Sequence, residues 1–307
     1  MTNNAIFPIT SLGSSGIDPT GVWGNYANIL NTGMEFSFGW QDHLNDRFSY
    51  NLNANLSFNK NKMSKINAAG ASYFDMGFSD TPNMTRTTLN EPVGEFFGYK
   101  VIGVFQNQSQ IDATPHLPGA IPGDLIFQDT NKDGVIDASD RTFLGNPNPT
   151  LIYGFNVGFK YEHVDFNMYT QGVFGNKIFN CNRMLRYQTE NYDRNFYEHR
   201  WHGAGTSNTY PSAVMSNPTT PNSFYVENGS YFRIKTLQLG YTLPTSVNNI
   251  LKVNKIRFYV NAENPFTFFS YNGFSPEVSS SNPLLSGGDR GVYPLSSVYT
   301  FGINVEF

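Results

Sequence analysis

The sequence predicts an all-β fold, a transmembrane antiparallel β-barrel. Three observations predict it. Several stretches alternate apolar and polar side chains over about 10 residues, the span that a tilted membrane strand needs. The connections between them alternate in length, as in outer-membrane barrels, where short turns face the periplasm and long loops face outside. The last stretch, 298–307, is apolar on one face and ends on the bare aromatic Phe307. Composition agrees with these patterns. Aromatics make up 16% of the chain and charged residues 14%, against about 25% charged in an average soluble domain.

Residues 1–32 are rich in Gly, Ser, Asn and Pro and read as loop. Met34, Phe36, Phe38 and Trp40 then alternate with Glu35, Ser37, Gly39 and Gln41. After a turn at 43–46, Phe48, Tyr50, Leu52, Ala54, Leu56 and Phe58 share one face, opposite Arg47, Ser49, Asn51, Asn53, Asn55 and Ser57. A second hairpin places Tyr153, Phe155, Val157, Phe159 and Tyr161 on one face, turns at 162–163, and continues with Val164, Phe166 and Met168. Leu237, Leu239, Tyr241 and Leu243 mark a fifth strand that Pro244 ends. A turn region at 245–254, with room for one helical turn, leads to Ile256, Phe258, Val260 and Ala262. In the terminal strand Tyr299, Phe301, Ile303, Val305 and Phe307 oppose Thr300, Gly302, Asn304 and Glu306. Tyr299, Phe301, Gly302, Ile303, Val305 and Phe307 are read as a membrane-assembly signal, addressed to the barrel-assembly machinery and to outer-membrane lipid.

The long connections, about 59–149, 176–230 and 270–297, are expected outside the cell, and strand parity then puts Phe307 in the periplasm. Seven strong strands are an odd number, whereas bacterial single-chain barrels have even numbers. The chain is therefore expected to be the C-terminal portion of a larger barrel, with no signal peptide and no plug domain in residues 1–307. Two alternatives fit the same periodicity: a complete small outer-membrane barrel or adhesin, and a secreted carbohydrate-binding β-sandwich. No run approaches the 18 or so apolar residues of a spanning helix, which a strand-built membrane protein does not need. A net charge of −4 gives nucleic-acid binding no electrostatic support, and one cysteine excludes an internal disulfide framework.

The sharpest local motif runs from Asp129 to Asp140. Asp129, Asn131, Asp133, the Val135 carbonyl, Asp137 and Asp140, with Gly134 at the sixth position, reproduce the spacing of an EF-hand loop, so Ca2+ in a structural role is the cofactor expected there. Asp140 stands where the bidentate glutamate would be, and the opposing reading is a loop of Asx turns. His199 and His202 lack a suitably placed carboxylate, and Cys181 lacks a paired histidine. No nucleophile elbow, phosphate loop or dinucleotide fingerprint occurs, so no enzyme is expected. Lys60, Lys62 and Lys65 form a basic cluster at a strand end, read as a solvated rim. Trp201, Tyr225, Tyr271 and Phe274 are loop aromatics able to stack on sugar rings.

Several segments together resemble one family, the SusC/RagA-type TonB-linked outer-membrane transporters. They are Pro92–Tyr99 with Gly103–Asn107, Pro122–Asp124, the Asp129–Asp140 loop, Gly145–Pro149 leading to Tyr153–Asn156, Asn228–Lys235, Leu239–Pro244, Arg257–Asn264, Asp289–Gly291 and the terminal strand. The resemblance covers roughly residue 26 to the end. It implies a barrel of about 22 strands with an N-terminal plug. It implies uptake of oligosaccharides, peptides or other bulky nutrients, energy from the TonB complex, and a SusD-like surface lipoprotein as partner. The resemblance carries over no substrate-contacting residue.

Overall fold

The computed structural model describes residues 2–9, 22–67, 72–185 and 191–307. Eight strands form one antiparallel sheet in chain order. They are β1 (Thr2–Ile9), β2 (Val22–Asn45), β3 (Phe48–Ile66), β4 (Leu151–Tyr161), β5 (Val164–Phe174), β6 (Tyr231–Thr242), β7 (Lys255–Phe269) and β8 (Val298–Glu306). Only neighbours in the chain pair with one another, and β1 and β8 are not joined to each other, so these eight strands alone close no small barrel.

Short turns form where local chemistry favours them. Asn45 Oδ1 accepts from the Arg47 and Phe48 N–H groups and closes the β2–β3 turn. Glu162 takes a left-handed φ of 49° at the β4–β5 turn, and its N–H reaches the Arg47 carbonyl. Pro244 precedes a helix, Thr245–Leu251, that stops at Lys252 in the left-handed region.

Three sequence expectations need correction. Residues 1–32 are not all loop: β1 occupies 2–9, and β2 begins at 22. Its positive-φ residue Asn4 sits where the β1–β2 register shifts, and such an irregularity hides a strand from a period-2 reading. The sheet therefore has eight strands rather than seven. The first long connection also starts later, while the other two keep close to the expected bounds, and all three carry structure of their own. β3 runs on to Ile66, so the first connection begins after it and not at 59.

The connections build a cap at the far end of the sheet from the short turns. Segments 73–76, 85–88, 95–99 and 141–145 form a four-stranded sheet. Segments 226–228, 177–180 and 288–289 form a three-stranded one, and 101–104 pairs with 125–127. The buried apolar clusters of the described residues all belong to the cap and its junction with β1–β3. One gathers Phe96, Phe179, Cys181, Met184 and Tyr225, and another joins Ala27 and Met63 to Phe74, Val93 and Leu284. β2, with 24 residues, is about 80 Å long at about 3.3 Å per residue. It rises well above the apolar band of about 25 Å typical of such barrels.

Candidate functional site

The sheet has two chemically different faces. Pairing aligns the apolar positions of neighbouring strands, as in Leu52–Val157–Met168–Leu237–Ala262–Tyr299. The result is an apolar belt seven strands wide, from β2 to β8. It stays open to its surroundings: Phe38, Trp40, Tyr299 and Phe301 are 60%, 52%, 69% and 68% exposed. None of these side chains belongs to a buried cluster of the described residues, and no second sheet lies against them. A β-sandwich would hide this face. Phe48, Tyr50, Phe159, Tyr161 and Tyr241 lie toward the short turns. Phe58, Tyr153, Phe232 and Phe268 lie toward the cap, and Ala54, Val157, Met168 and Leu237 lie between, with Phe38, Phe155 and Phe266 among them. Tyrosines and phenylalanines at both edges of an apolar belt are what a bilayer with two interfaces selects.

Bulges keep the belt continuous. Lys235 in β6 and the Asn264 region of β7 interrupt the register. Below the interruption Leu237, Leu239 and Tyr241 face the belt, and above it Phe232 and Ile234 do. The bulge shifts parity and keeps both groups on one side.

The opposite face is polar. Ser37, Asn55, Tyr169, Gln171 and Tyr231 contribute to a hollow of about 450 Å³ near the cap end. Beside it the 270–297 connection bends onto the sheet. Arg233 of β6, 3% exposed, meets the Glu277 carboxylate at 2.6 Å. Tyr231 and Gln171 donate to the other oxygen at 2.7 and 3.2 Å, and Arg233 Nε reaches Thr267 Oγ1 at 2.9 Å. Burial pushes the Glu277 carboxyl up, but the bonds from Arg233 and Tyr231 outweigh it and hold the group below the usual glutamate range. Nearer the short turns Arg257 of β7 spans Gly240 to grip Asp165 of β5 at 2.5 and 3.0 Å. Any side chain at Gly240 would overlap that guanidinium and carboxylate. Sequence reasoning missed both ion pairs because their partners lie far apart in the chain.

The predicted assembly residues form β8 and the chain end. Tyr299, Phe301, Ile303, Val305 and Phe307 are exposed, the last at 90%. Gly302 lies under the Tyr259 ring, which a Cβ there would strike.

The Asp129–Asp140 loop is stitched by its own side chains. Asp129 accepts from the N–H groups of Lys132 and Gly134, Asn131 from Asp133, and Asp133 from Val135. Asp137 caps a short 3-10 turn, and the fully buried Asp140 accepts from Thr130 and Asp137. Among the described residues no group of three or more His, Cys, Asp or Glu comes together to hold a metal. In this arrangement the side-chain oxygens of Asp129, Asn131 and Asp133 accept from the loop's own backbone N–H groups.

The other singled-out residues are mostly packed. Cys181 is buried against Met84, and burial pushes its thiol up to about 12, which leaves it inert. His199 Nδ1 contacts the Asn195 carbonyl within helix 194–199. Tyr225 and Tyr271 are buried, and Trp201 lies against Gly123 and donates to Gln106. Of the four loop aromatics only Phe274 is largely exposed, so the four rings share no exposed stacking surface.

No protein-family model matches the chain. Two TonB-dependent receptors of Formosa agariphila are 30% identical over 294 residues and 31% identical over 293. Each match covers 92% of this chain and 30% or 29% of the relative. TonB-dependent receptor SusC of Bacteroides thetaiotaomicron is 23% identical over 295 residues, covering 92% of this chain and 27% of SusC. Among solved structures, the RagAB peptide transporter matches with a TM-score of 0.75 at 19% identity, over 99% of this chain and 32% of that one. The chain thus spans less than a third of the length of these relatives. The eight-stranded sheet is part of a larger outer-membrane β-barrel.

Proposed function

From a chain that belongs to the SusC/RagA family of TonB-dependent receptors, we propose a wall and outer cap of an importer for bulky polar nutrients, oligosaccharides or peptides. Its energy comes through the TonB complex, and a SusD-like surface lipoprotein works against its outer end. One observation carries this reading: a seven-strand apolar belt, uncovered, backs a polar wall. Such a wall separates hydrocarbon from a wet lumen. The hollow beside Gln171 and Tyr231 offers amide and hydroxyl groups and the Glu35 carboxylate, which suit a polar cargo able to donate hydrogen bonds. The cap strands and the long connections lie outside the cell in this reading, and residues 1–307 all belong to the barrel portion.

The test uses the full-length receptor that carries this sequence. Its disruption should abolish uptake of one labelled oligosaccharide or peptide class, and disruption of TonB should do the same. Unchanged uptake of every such cargo in both strains would refute the proposal. Deleting Phe307 should lower outer-membrane yield, because the barrel-assembly machinery would read this end.

Calcium at the Asp129–Asp140 loop is a separate proposal that rests on the spacing of its donors. The ion would have to compete with the N–H groups now held by Asp129, Asn131 and Asp133. Binding in the weak range of extracellular sites, about 10⁻⁴–10⁻³ M, is expected. Titration of the folded receptor with millimolar calcium that releases no heat would remove it.

A further inference from the structure

The upper part of the β2–β3 hairpin carries a patch that nutrient uptake does not use. Phe58 of β3 pairs with Met34 of β2 at the rim of the apolar belt. Two and four residues further on, Lys60 and Lys62 pair with Thr32 and Leu30 and so stay on the belt side of the sheet. Alternation alone would send Lys65 to the opposite face. The register shifts there, because Met63 pairs with Ile29 while Lys65 pairs with Asn28. Ser64 is the extra residue, and its hydroxyl bonds to the Asn28 carbonyl. The bulge returns Lys65 to the side of Lys60 and Lys62. The other side of this segment is buried: Met63 and Ala27 are 0% exposed and pack in the cap cluster.

Three lysines therefore line up on the outside of the barrel, directly above the aromatic rim. At about 3.4 Å per residue Lys60 lies about 7 Å and Lys62 about 14 Å beyond Phe58. None of the three makes an ion pair among the described residues. Beside them β4 begins only at Leu151, after Asn59 has donated to the Thr150 carbonyl. The sheet loses a strand above that point, which leaves an open cleft of about 760 Å³ lined by Met34, Phe58, Lys60, Pro149 and Thr150. Of the three lysines Lys60 lies in its lining, next to the apolar floor of Met34 and Phe58.

We propose that Lys60, Lys62 and Lys65 hold the phosphates of an anionic glycolipid of the outer leaflet, with the top of an acyl chain against Met34 and Phe58. Charge complementarity and continuity with the lipid-facing belt select this occupant. A soluble anion would gain nothing from the apolar floor, and lysines just beyond the hydrocarbon meet a layer of headgroup phosphate. The inference rests on the outer-membrane orientation proposed above, which puts the cap end outside.

The test is native mass spectrometry of the full-length receptor in nonionic detergent, with diphosphorylated lipid A as the probe. Dephosphorylated lipid A and inorganic phosphate form separate arms. Wild type should retain diphosphorylated lipid A, and each Lys→Ala change should weaken binding about fivefold, or about 100-fold for all three. Lys60→Arg, Lys62→Arg and Lys65→Arg together should keep it. Equal binding by wild type and the triple alanine variant would overturn the proposal. So would equal affinity for the dephosphorylated lipid, or full competition by inorganic phosphate. A receptor that folds as a heat-modifiable barrel yet gives those results overturns the lipid site alone. A receptor that never enters detergent as a barrel takes the outer-membrane reading down with it.

Discussion

The sheet and the cap use the same kinds of side chain in opposite ways. In the cap, Phe96, Phe179 and Tyr225 are almost wholly buried, and strands of two to five residues suffice because packing holds them. In the sheet, Phe38, Phe301 and Tyr299 are open, and strands of 8 to 24 residues carry regular ladders. A water-exposed domain does not tolerate a seven-strand apolar face. The difference teaches that hydrophobicity alone does not locate a core. The solvent on each side decides which apolar residues are inside.

That contrast can be broken most sharply on the belt. Val157→Arg sets a charge in the middle of the apolar face and should cost about 2–4 kcal/mol when the full-length receptor folds into lipid vesicles from urea. Asn156→Arg, one residue away on the polar face, should cost about 1 kcal/mol or less. Equal costs would mean that both faces meet the same medium. The join between the two regions is tested next. Glu277→Ala leaves the buried Arg233 without its carboxylate. It should loosen the 270–297 connection by about 2 kcal/mol, read as roughly thirtyfold faster limited proteolysis there, with the belt unaffected.

The smallest effect lies within the cap. Burial, then the nearby Glu91, raises the Glu95 carboxyl to about 7, and its Oε2 has no hydrogen-bond partner among the described residues. The folded cap thus prefers Glu95 protonated. Stability falls as pH rises from the ordinary glutamate range to about 7, and is level above. Glu95→Gln should leave cap melting unchanged at pH 4 and raise it by about 1–2 °C at pH 8. A gain of the same size at both pH values would assign the effect to packing.

How much of this was legible follows from the same contrast. Phe48–Phe58 and Tyr153–Tyr161 could be read because lipid on one side and water on the other impose a strict period of 2. The upper parts of β2 and β3 could not. There Thr32, Lys60 and Lys62 succeed the apolar positions on the outer face, so alternation vanishes although pairing continues. The upper part of β6 was hidden by the parity change at Lys235, and that of β7 by the irregularity at Asn264, where the register breaks without a change of parity. The Asp129–Asp140 spacing was legible, and so was the choice it posed between a cation site and Asx turns, but not the partner of each carboxylate. Spacing gives the order of donors and says nothing of which partner each one takes. Arg233 with Glu277 depends on a distant connection returning to β6, which no local pattern encodes.

β2 and β3 pass from the oily wall into the cap as unbroken backbone. A stiff mast of this kind transmits torque: a load set down on the cap tips the wall with it. The 270–297 connection is lashed to the same mast: Glu277 ties it to β6, and its Leu284 packs in one cluster with Ala27 of β2 and Met63 of β3.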